Sequence, residues 1–255
     1  MLAPRDPSLI VHHFSMPATF YRWFSDRQKE VTSFGRARRS RTERSRLGLL
    51  MRHRPAPGDM LEIGPGKGTL ALLAVDAGWR YRAMEASALL IAQLRGLGLE
   101  VIEGWAPPIL APAASCDVVY ADQVLEHMSG IDAARQFVAE AHRVLRPGGV
   151  LFVVVPDYLA ERGFFWDIDY THNFVTTERR VKQLFYDGGF ETHAMVRSIG
   201  AATGFTRDLL AAASLLARTP GLDALSRYTG TENLLFRIRK NFFATLEFVA
   251  VKTAE

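Results

Sequence analysis

The sequence contains a single cysteine, Cys116, among its 255 residues. One thiol cannot form an internal disulfide or a cysteine-based zinc cluster. No stretch approaches the ~18–20 consecutive apolar residues that a membrane-spanning helix needs. Residues 1–10 carry two prolines, an arginine and an aspartate, where a secretory signal would need an apolar run. We therefore expect a cytoplasmic protein without a transmembrane segment.

The composition is that of an ordinary globular protein, with 48% hydrophobic and 23% charged residues. The net charge of +4 is unevenly distributed. Residues 1–57 carry 12 lysines and arginines against 4 acidic residues, whereas residues 58–255 carry 19 against 23. The basic excess is concentrated in residues 35–46. It indicates a contact surface for nucleic acid or an anionic membrane, arginines that hold an anionic substrate, or a solvated helix face.

Strand and helix patterns alternate from Gly58 onward, which predicts a doubly wound α/β fold. The length suits one large α/β domain with appendages, or two small domains. The predicted strands are 60–63, 81–85, 100–103, 117–120, 150–155, 192–197 and 243–251. The predicted helices are 69–77, 87–97, 131–145, 177–187 and 208–218.

A glycine-rich turn joins the first predicted strand to the first of these helices, at residues 61–70. Gly64, Gly66 and Gly68 alternate with other residues there. Glycine accepts positive φ and lets backbone N–H groups approach a ligand without an intervening Cβ. The helix that follows begins with a partial positive charge. The dinucleotide fingerprint G-x-G-x-x-G would need its third glycine at position 69, which is Thr69.

Glu62 precedes the first glycine by two residues, so the turn reads E-x-G-x-G-x-G. This pattern at the end of a first strand resembles the cofactor turn of the class I S-adenosylmethionine-dependent methyltransferases. The string Val-Leu-Glu-His at 124–127 and the turn at 143–151 also resemble that family. The resemblance covers roughly residues 59–156. It implies a mostly parallel seven-stranded sheet whose last strand is antiparallel, and a cofactor, S-adenosylmethionine, that leaves as S-adenosylhomocysteine.

The resemblance also implies where the cofactor is held. A carboxylate at the end of the second strand, Glu85, would accept the ribose hydroxyls. Trp105 would stack on or shield the adenine, in a place where the family often has an aspartate. The backbone of residues 121–123 would lie beside the methionine part. The full set of expected cofactor contacts is Glu62, Ile63, Gly64, Pro65, Gly66, Gly68, Glu85, Ala86, Trp105, Ala106, Ala121, Asp122 and Gln123.

The loop after the fifth strand, residues 156–172, is the expected catalytic segment because it follows a strand's carboxyl end. A hydroxyl acceptor must lose a proton, which requires a general base or a metal ion. His172 is the first candidate base, with Asp169 orienting it, and His127 is the second. A Mg²⁺ ion would be held by Asp169 with Asp157 or Asp167. Asp169-x-x-His172 resembles a pattern of methyltransferases in sugar and polysaccharide pathways.

These features predict an O-methyltransferase that acts on a small molecule or glycan. Residues 1–57 are predicted to form a helical, basic cap and residues 58–255 the methyltransferase domain. The helical insertion 199–242, between the sixth and seventh strands, would be a lid or a homo-oligomer contact. The alternatives are a nucleic-acid or other N- or C-methyltransferase, and a non-catalytic S-adenosylmethionine-binding protein. A nucleic-acid partner is disfavoured because Cys116 begins its strand, at the wrong end for a cytosine-methylating nucleophile.

Overall fold

The computed structural model describes residues 32–253. Its centre is an eight-stranded sheet with the order β3-β2-β1-β4-β5-β8-β6-β7. The strands are β1 (Asp59–Ile63), β2 (Arg80–Glu85), β3 (Glu100–Glu103), β4 (Cys116–Asp122), β5 (Leu145–Pro156), β6 (Phe190–Ile199), β7 (Ala202–Thr203) and β8 (Ala244–Lys252).

The predicted α/β fold is confirmed, with one added strand. β1 pairs in parallel with β2 and β4, and β4 pairs in parallel with β5. The last strand, β8, lies antiparallel between β5 and β6. The eighth strand is β7, which folds back on the end of β6 through two residue pairs. Two residues are too few to produce a period-2 pattern, so the sequence predicted seven strands.

Ten α-helices and one short 3₁₀ turn complete the described residues. The helices are α1 (Ser33–His53), α2 (Thr69–Asp76), α3 (Ala88–Gly96), α4 (Ile131–Val144), α5 (Tyr158–Glu161), α6 (Gly163–Ile168), α7 (Glu178–Asp187), α8 (Gly204–Leu216), α9 (Leu222–Thr229) and α10 (Glu232–Asn241), and the 3₁₀ turn is Leu125–His127. None of the described helices has the length and apolarity to cross a bilayer.

Helices cover both faces of the sheet, as the alternating pattern predicts. On one face, Phe137 of α4 and Phe185 of α7 are fully buried against Phe248 of β8. On the other, Leu50 of α1 and side chains from α2 and α3 pack on β1, β4 and β5. In α4 the buried residues recur every three or four positions, at 134, 137, 138, 141 and 144. That spacing places them on one stripe of the helix.

Helix α1 is part of this core, although it lies within the segment predicted as a cap. Leu47, Leu49 and Leu50 are buried beneath the sheet's second face. Arg46 is also buried, and its guanidinium lies 2.7 Å from an oxygen of Asp122 at the end of β4. It lies 3.3 Å from carboxylate oxygens of Glu43 and of Glu247 in β8. The solvated face predicted for residues 35–46 consists of Arg36, Arg39, Arg41 and Arg44.

The helices between β7 and β8 contact both α1 and the loop after β5. Arg218 binds the carboxylate of Glu161 at 2.8 Å and donates to the carbonyl of Ala160. The ring of Phe236 lies 5.5 Å from that of Phe164 in α6. Arg38 of α1 donates to the side chain of Asn241 at 2.6 Å. The insertion, α1 and the predicted catalytic segment therefore form one contiguous layer.

We expect Arg46→Leu to destabilise the protein by about 3–5 kcal/mol, because it leaves the carboxylates of Asp122 and Glu247 without their buried counter-charge. Urea unfolding followed by circular dichroism measures the change. Arg44→Leu, on the exposed face of the same helix, is the matched control and should change stability by no more than about 0.5 kcal/mol. Equal stability of the two variants would contradict a structural role for the buried arginine.

Candidate functional site

Three strand ends meet at the centre of the sheet. Ile63, the last residue of β1, pairs with Ala121 of β4. Ala121 pairs in turn with Val153 of β5. The carboxyl ends of β1, β4 and β5 therefore lie at one edge, which is where open α/β sheets bind ligands.

The glycine turn at the end of β1 has the left-handed backbone that its sequence predicts. Gly64, Gly66 and Gly68 have φ of 67°, 56° and 71°. A Cβ on Gly68 would lie 2.8 Å from Leu94 of α3, so this glycine allows close packing of two helices. A Cβ on Gly66 would meet nothing within 4 Å. A side chain at this half-buried position would therefore point into open space, which leaves room for a ligand at the turn.

The carboxyl group of Glu62 lies beneath this turn, away from solvent. It is 3% exposed as a residue, and it accepts a 2.5 Å hydrogen bond from the hydroxyl of Tyr81. Burial raises the pKa of Glu62 to about 8. The structure thus gives this predicted cofactor contact a partner within the protein, and its role is to hold β1 against β2.

The other predicted cofactor residues line the same edge. The carboxylate of Glu85 ends β2 and accepts the backbone N–H groups of Ala86 and Ser87 at 2.9 and 2.8 Å. The backbone of Gly66 also lies within hydrogen-bonding range of that carboxylate, although burial dominates and raises its pKa. Pro65 and Ala121 are buried, whereas Ile63 lies in the core. Trp105 and Ala106 are half-buried after β3.

The end of β4 carries an unusual backbone and an unsatisfied oxygen. Gln123 has a φ of 58°, in the left-handed region that glycine favours. Oδ1 of Asp122 is buried and has no hydrogen-bond partner, although Oδ2 binds Arg46. Val124 contacts the glycine turn, since its Cγ2 is 3.1 Å from where a Cβ of Gly64 would lie. The segment that leads to His127 is therefore adjacent to the turn.

A chain of three hydrogen bonds orients His127. Its Nδ1 lies 2.7 Å from the hydroxyl of Thr171. That hydroxyl is 2.7 Å from Oδ1 of Asp169, and the backbone N–H of Thr171 donates to the same oxygen. The single hydroxyl proton of Thr171 is used toward the carboxylate, so Nδ1 of His127 is the donor to Thr171. Nε2 of His127 therefore carries the lone pair.

His172 is oriented in the same sense by a different partner. Its Nδ1 lies 2.6 Å from the carbonyl oxygen of Phe165, which can only accept. Nε2 of His172 therefore carries a lone pair too. The two imidazole rings are 4.9 Å apart, and burial lowers the pKa of both. For His127, burial and the neighbouring His172 lower the pKa to about 4.

Glu126 completes this cluster, and the sequence predictions missed it. It is 0% exposed, and neither of its carboxylate oxygens has a hydrogen-bond partner. One ligand atom from each of Glu126, His127 and His172 lies within 4.8 Å of the others. Its position beside His127 was the available signal, but a glutamate in a short turn is normally exposed. Burial raises its pKa well above the usual range.

The predicted metal-binding aspartates are separated in the structure. Asp157 is buried, with a carboxylate oxygen 3.5 Å from Arg197. Asp167 is exposed on α6, and Asp169 is engaged with Thr171. Within residues 32–253, the grouping suited to a metal is the glutamate and two histidines instead. Asp169 was predicted to orient His172, but in the structure it is linked to His127 through Thr171, and Nδ1 of His172 contacts the carbonyl of Phe165 instead.

Gly66→Arg should remove detectable binding of S-adenosylhomocysteine, the product implied by the sequence resemblance, because the side chain would fill the open space at the turn. Isothermal titration calorimetry measures the loss. Gly98→Arg is the control, since Gly98 also has positive φ, 78°, and open space around it but follows α3 at the opposite edge. Undiminished binding by the Gly66 variant would rule out a ligand at the turn.

Glu62→Gln should make the free energy of unfolding decrease less steeply as the pH rises. A folded-state pKa of about 8 means that the folded protein keeps a proton that the unfolded chain releases near pH 4.5. The wild type therefore loses stability between about pH 4.5 and 8, and the neutral glutamine removes this part of the loss. Urea unfolding at pH 5, 6.5 and 8 tests it, with Glu100→Gln on the surface as control. Parallel pH curves for wild type and Glu62→Gln would refute the assignment.

Comparison with known proteins agrees with this geometry. Residues 61–153 match the family described as "Methyltransferase domain". A protein of Mycolicibacterium smegmatis named "Probable S-adenosylmethionine-dependent methyltransferase" is 39% identical over 107 residues. That match covers 41% of this chain and 40% of the relative.

Solved structures share the fold across more of the chain. A protein from Pyrococcus horikoshii OT3 superposes with a TM-score of 0.62 at 17% identity, over 92% of this chain and 99% of that one. An N-methyltransferase from Haemonchus contortus, in complex with phosphomonomethylethanolamine and S-adenosylhomocysteine, gives 0.59 at 17% identity over 92% and 60%. The match to the methyltransferase domain thus covers residues 61–153, and the solved structures show that the chain shares their fold.

Proposed function

We propose that this protein is an S-adenosylmethionine-dependent O-methyltransferase that methylates a hydroxyl group of a small molecule or glycan. The observation that carries the proposal is the pair of imidazoles, His127 and His172, whose Nδ1 atoms are engaged within the protein and whose Nε2 atoms carry lone pairs. S-adenosylmethionine supplies an electrophilic methyl group on a sulfonium, and its transfer to an oxygen gives a methyl ether and S-adenosylhomocysteine. The residues of the chain must bind the cofactor and the acceptor, align the acceptor oxygen with the methyl group, and remove the hydroxyl proton.

The cofactor cradle is supported by four features at or just after the strand ends. Gly66 leaves open space at the helix N-terminus. The carboxylate of Glu85, buried at the end of β2, suits the two hydroxyls of a ribose. Oδ1 of Asp122, buried and without a partner, suits the ammonium group of the amino-acid part. Trp105, half-buried at the end of β3, would cover the adenine.

Deprotonation is the task that distinguishes a hydroxyl acceptor from an amine. An alcohol or phenol needs a group that takes its proton as the carbon–oxygen bond forms. The histidines suit this role because the hydrogen bonds from both Nδ1 atoms leave both Nε2 atoms as acceptors. Asp169 acts as a positioning residue, since it reaches His127 through the hydroxyl of Thr171.

The aromatic residues around this pair support an acceptor with an apolar ring face. Trp166 and Tyr170 are 45% and 69% exposed on the segment that leads to His172. Tyr158 packs edge-on against both Phe165 and Trp166. Exposed aromatic faces stack well on sugars and other rings. We infer that these side chains form one wall of the acceptor pocket.

The inserted segment 199–242 is proposed to be the roof of that pocket. Its helix α10 packs on α6 through Phe236 and Phe164, and Arg218 fastens the end of α8 to α5. Lys240 of α10 is near enough to Asp169 to interact electrostatically with it. These contacts favour a lid over a surface devoted only to self-association. The basic segment before residue 58 supports the same roof through Arg38.

A methyl-transfer assay over a panel of glycans, phenols and amines tests the proposed function. Transfer should occur to a hydroxyl acceptor, and His172→Ala should lower kcat by about 10²–10⁴-fold, the range contributed by proton transfer. His142→Ala, remote from the site in α4, is the control and should keep full activity. Transfer that occurs only to amines, or that is unchanged by His172→Ala, would refute O-methylation.

A further inference from the structure

We propose that Glu126, His127 and His172 bind one divalent first-row transition-metal ion. The three side chains come from the turn after β4 and the segment after β5, and their ligand atoms lie within 4.8 Å of one another. Ligands that are each 2.0–2.2 Å from an ion lie roughly 3–4 Å apart. The observed limit of 4.8 Å is slightly wider than that spacing, so the ligands would move closer together when an ion binds.

The orphaned carboxylate of Glu126 is the first argument for this site. It is fully buried, and both of its oxygens lack a hydrogen-bond partner. A buried polar group without a partner costs about 1–3 kcal/mol, and more when it is charged. The backbone carbonyl of the same residue is satisfied, because it accepts the N–H groups of Asn173 and Phe174. The backbone of Glu126 is therefore anchored by hydrogen bonds, whereas its buried carboxylate oxygens have no partner.

The orientation of the two histidines is the second, independent argument. A histidine that binds a metal usually donates its other ring N–H to a carbonyl or carboxylate, which fixes the tautomer and the ring. Nδ1 of His172 donates to the carbonyl of Phe165. Nδ1 of His127 donates to Thr171, whose hydroxyl is bound in turn by Asp169. Both Nε2 atoms therefore keep a lone pair for an ion, in a cluster whose ligand atoms lie within 4.8 Å of one another.

The chemistry of these ligands selects the ion. Two imidazole nitrogens and one carboxylate suit Zn²⁺, Fe²⁺ or Co²⁺, whereas Mg²⁺ prefers oxygen ligands. Three protein ligands leave coordination positions open, as in catalytic sites. His127 is half-buried rather than enclosed, so an exogenous oxygen can approach from that side.

The inference deepens the proposed function, on which its catalytic meaning rests. An ion at this site would lower the pKa of an acceptor hydroxyl that approaches it. With an ion bound, the imidazoles would hold the ion, the ion would replace them in activating the acceptor hydroxyl, and the hydroxyl proton would pass to solvent. The acceptor would then bind the ion through the hydroxyl oxygen that is methylated, as a phenol or a vicinal diol can.

Titration of the full chain with Co²⁺, after removal of metal with a chelator, tests the site. Visible d–d absorption should saturate at one equivalent. Glu126→Gln, His127→Ala and His172→Ala should each weaken Co²⁺ binding by about 100-fold or more. Thr171→Val should weaken it by about 10–100-fold, the usual effect of removing a partner that orients a ligand. Mg²⁺ at millimolar concentration should leave the absorption unchanged.

The control is His193→Ala, which removes an exposed histidine 3.6 Å from Glu191 and should leave the titration unaltered. A wild-type protein that does not bind Co²⁺, or that binds it equally well after Glu126→Gln and Thr171→Val, would overturn the site. The two proposals fail separately. Co²⁺ binding without methylation of any hydroxyl refutes the proposed function, whereas methylation by a protein that binds no Co²⁺ refutes the metal site.

Discussion

The parallel pairing of β4 with β1 on one side and β5 on the other is the constraint on which the candidate site depends. This register brings Ile63, Ala121 and Val153 level. The glycine turn, the strained residue Gln123 and the loop that carries His172 all begin within a few residues of that line. The pairing of the strands alone therefore brings groups that are far apart in the sequence to one edge of the sheet.

The side chains at this edge are held by contacts to the protein that leave their functional atoms unused. In both histidines Nδ1 donates a hydrogen bond within the protein, and Nε2 stays available to a ligand. In Asp122, Oδ2 accepts a hydrogen bond from Arg46, and Oδ1 has no hydrogen-bond partner. Such an arrangement reduces the reorganisation needed when a ligand arrives, which is how a folded protein lowers the barrier to a reaction.

The features that local sequence determines were predictable. The strand ends and the positive φ at Gly64, Gly66 and Gly68 follow from short patterns that only certain backbones satisfy. The resemblance to methyltransferases rests on the same turn, which lies within the matched residues 61–153. The roles of individual site residues stay predictions, apart from the positions that the structure gives them.

What could not be predicted depends on contacts between distant segments. Arg46 looks like its exposed neighbours in a basic helix, and only the fold brings it to Asp122 and Glu247. Glu126 is likewise an ordinary glutamate until the segment after β5 covers it. The two residues of β7 pair with the last two residues of β6, on the edge of β6 that does not pair with β8. In each case the role of the residue depends on contacts in the folded chain, which a single sequence does not reveal.

The integration of α1 into the core has a consequence for how the molecule can be divided. The segment that matches the methyltransferase family starts at residue 61, and a fragment trimmed to that boundary would appear complete by homology. It would lack the leucines that cover one face of β4 and the cation that neutralises its terminal carboxylate. The unit that shares one core is therefore larger than the homologous segment, because it includes helix α1.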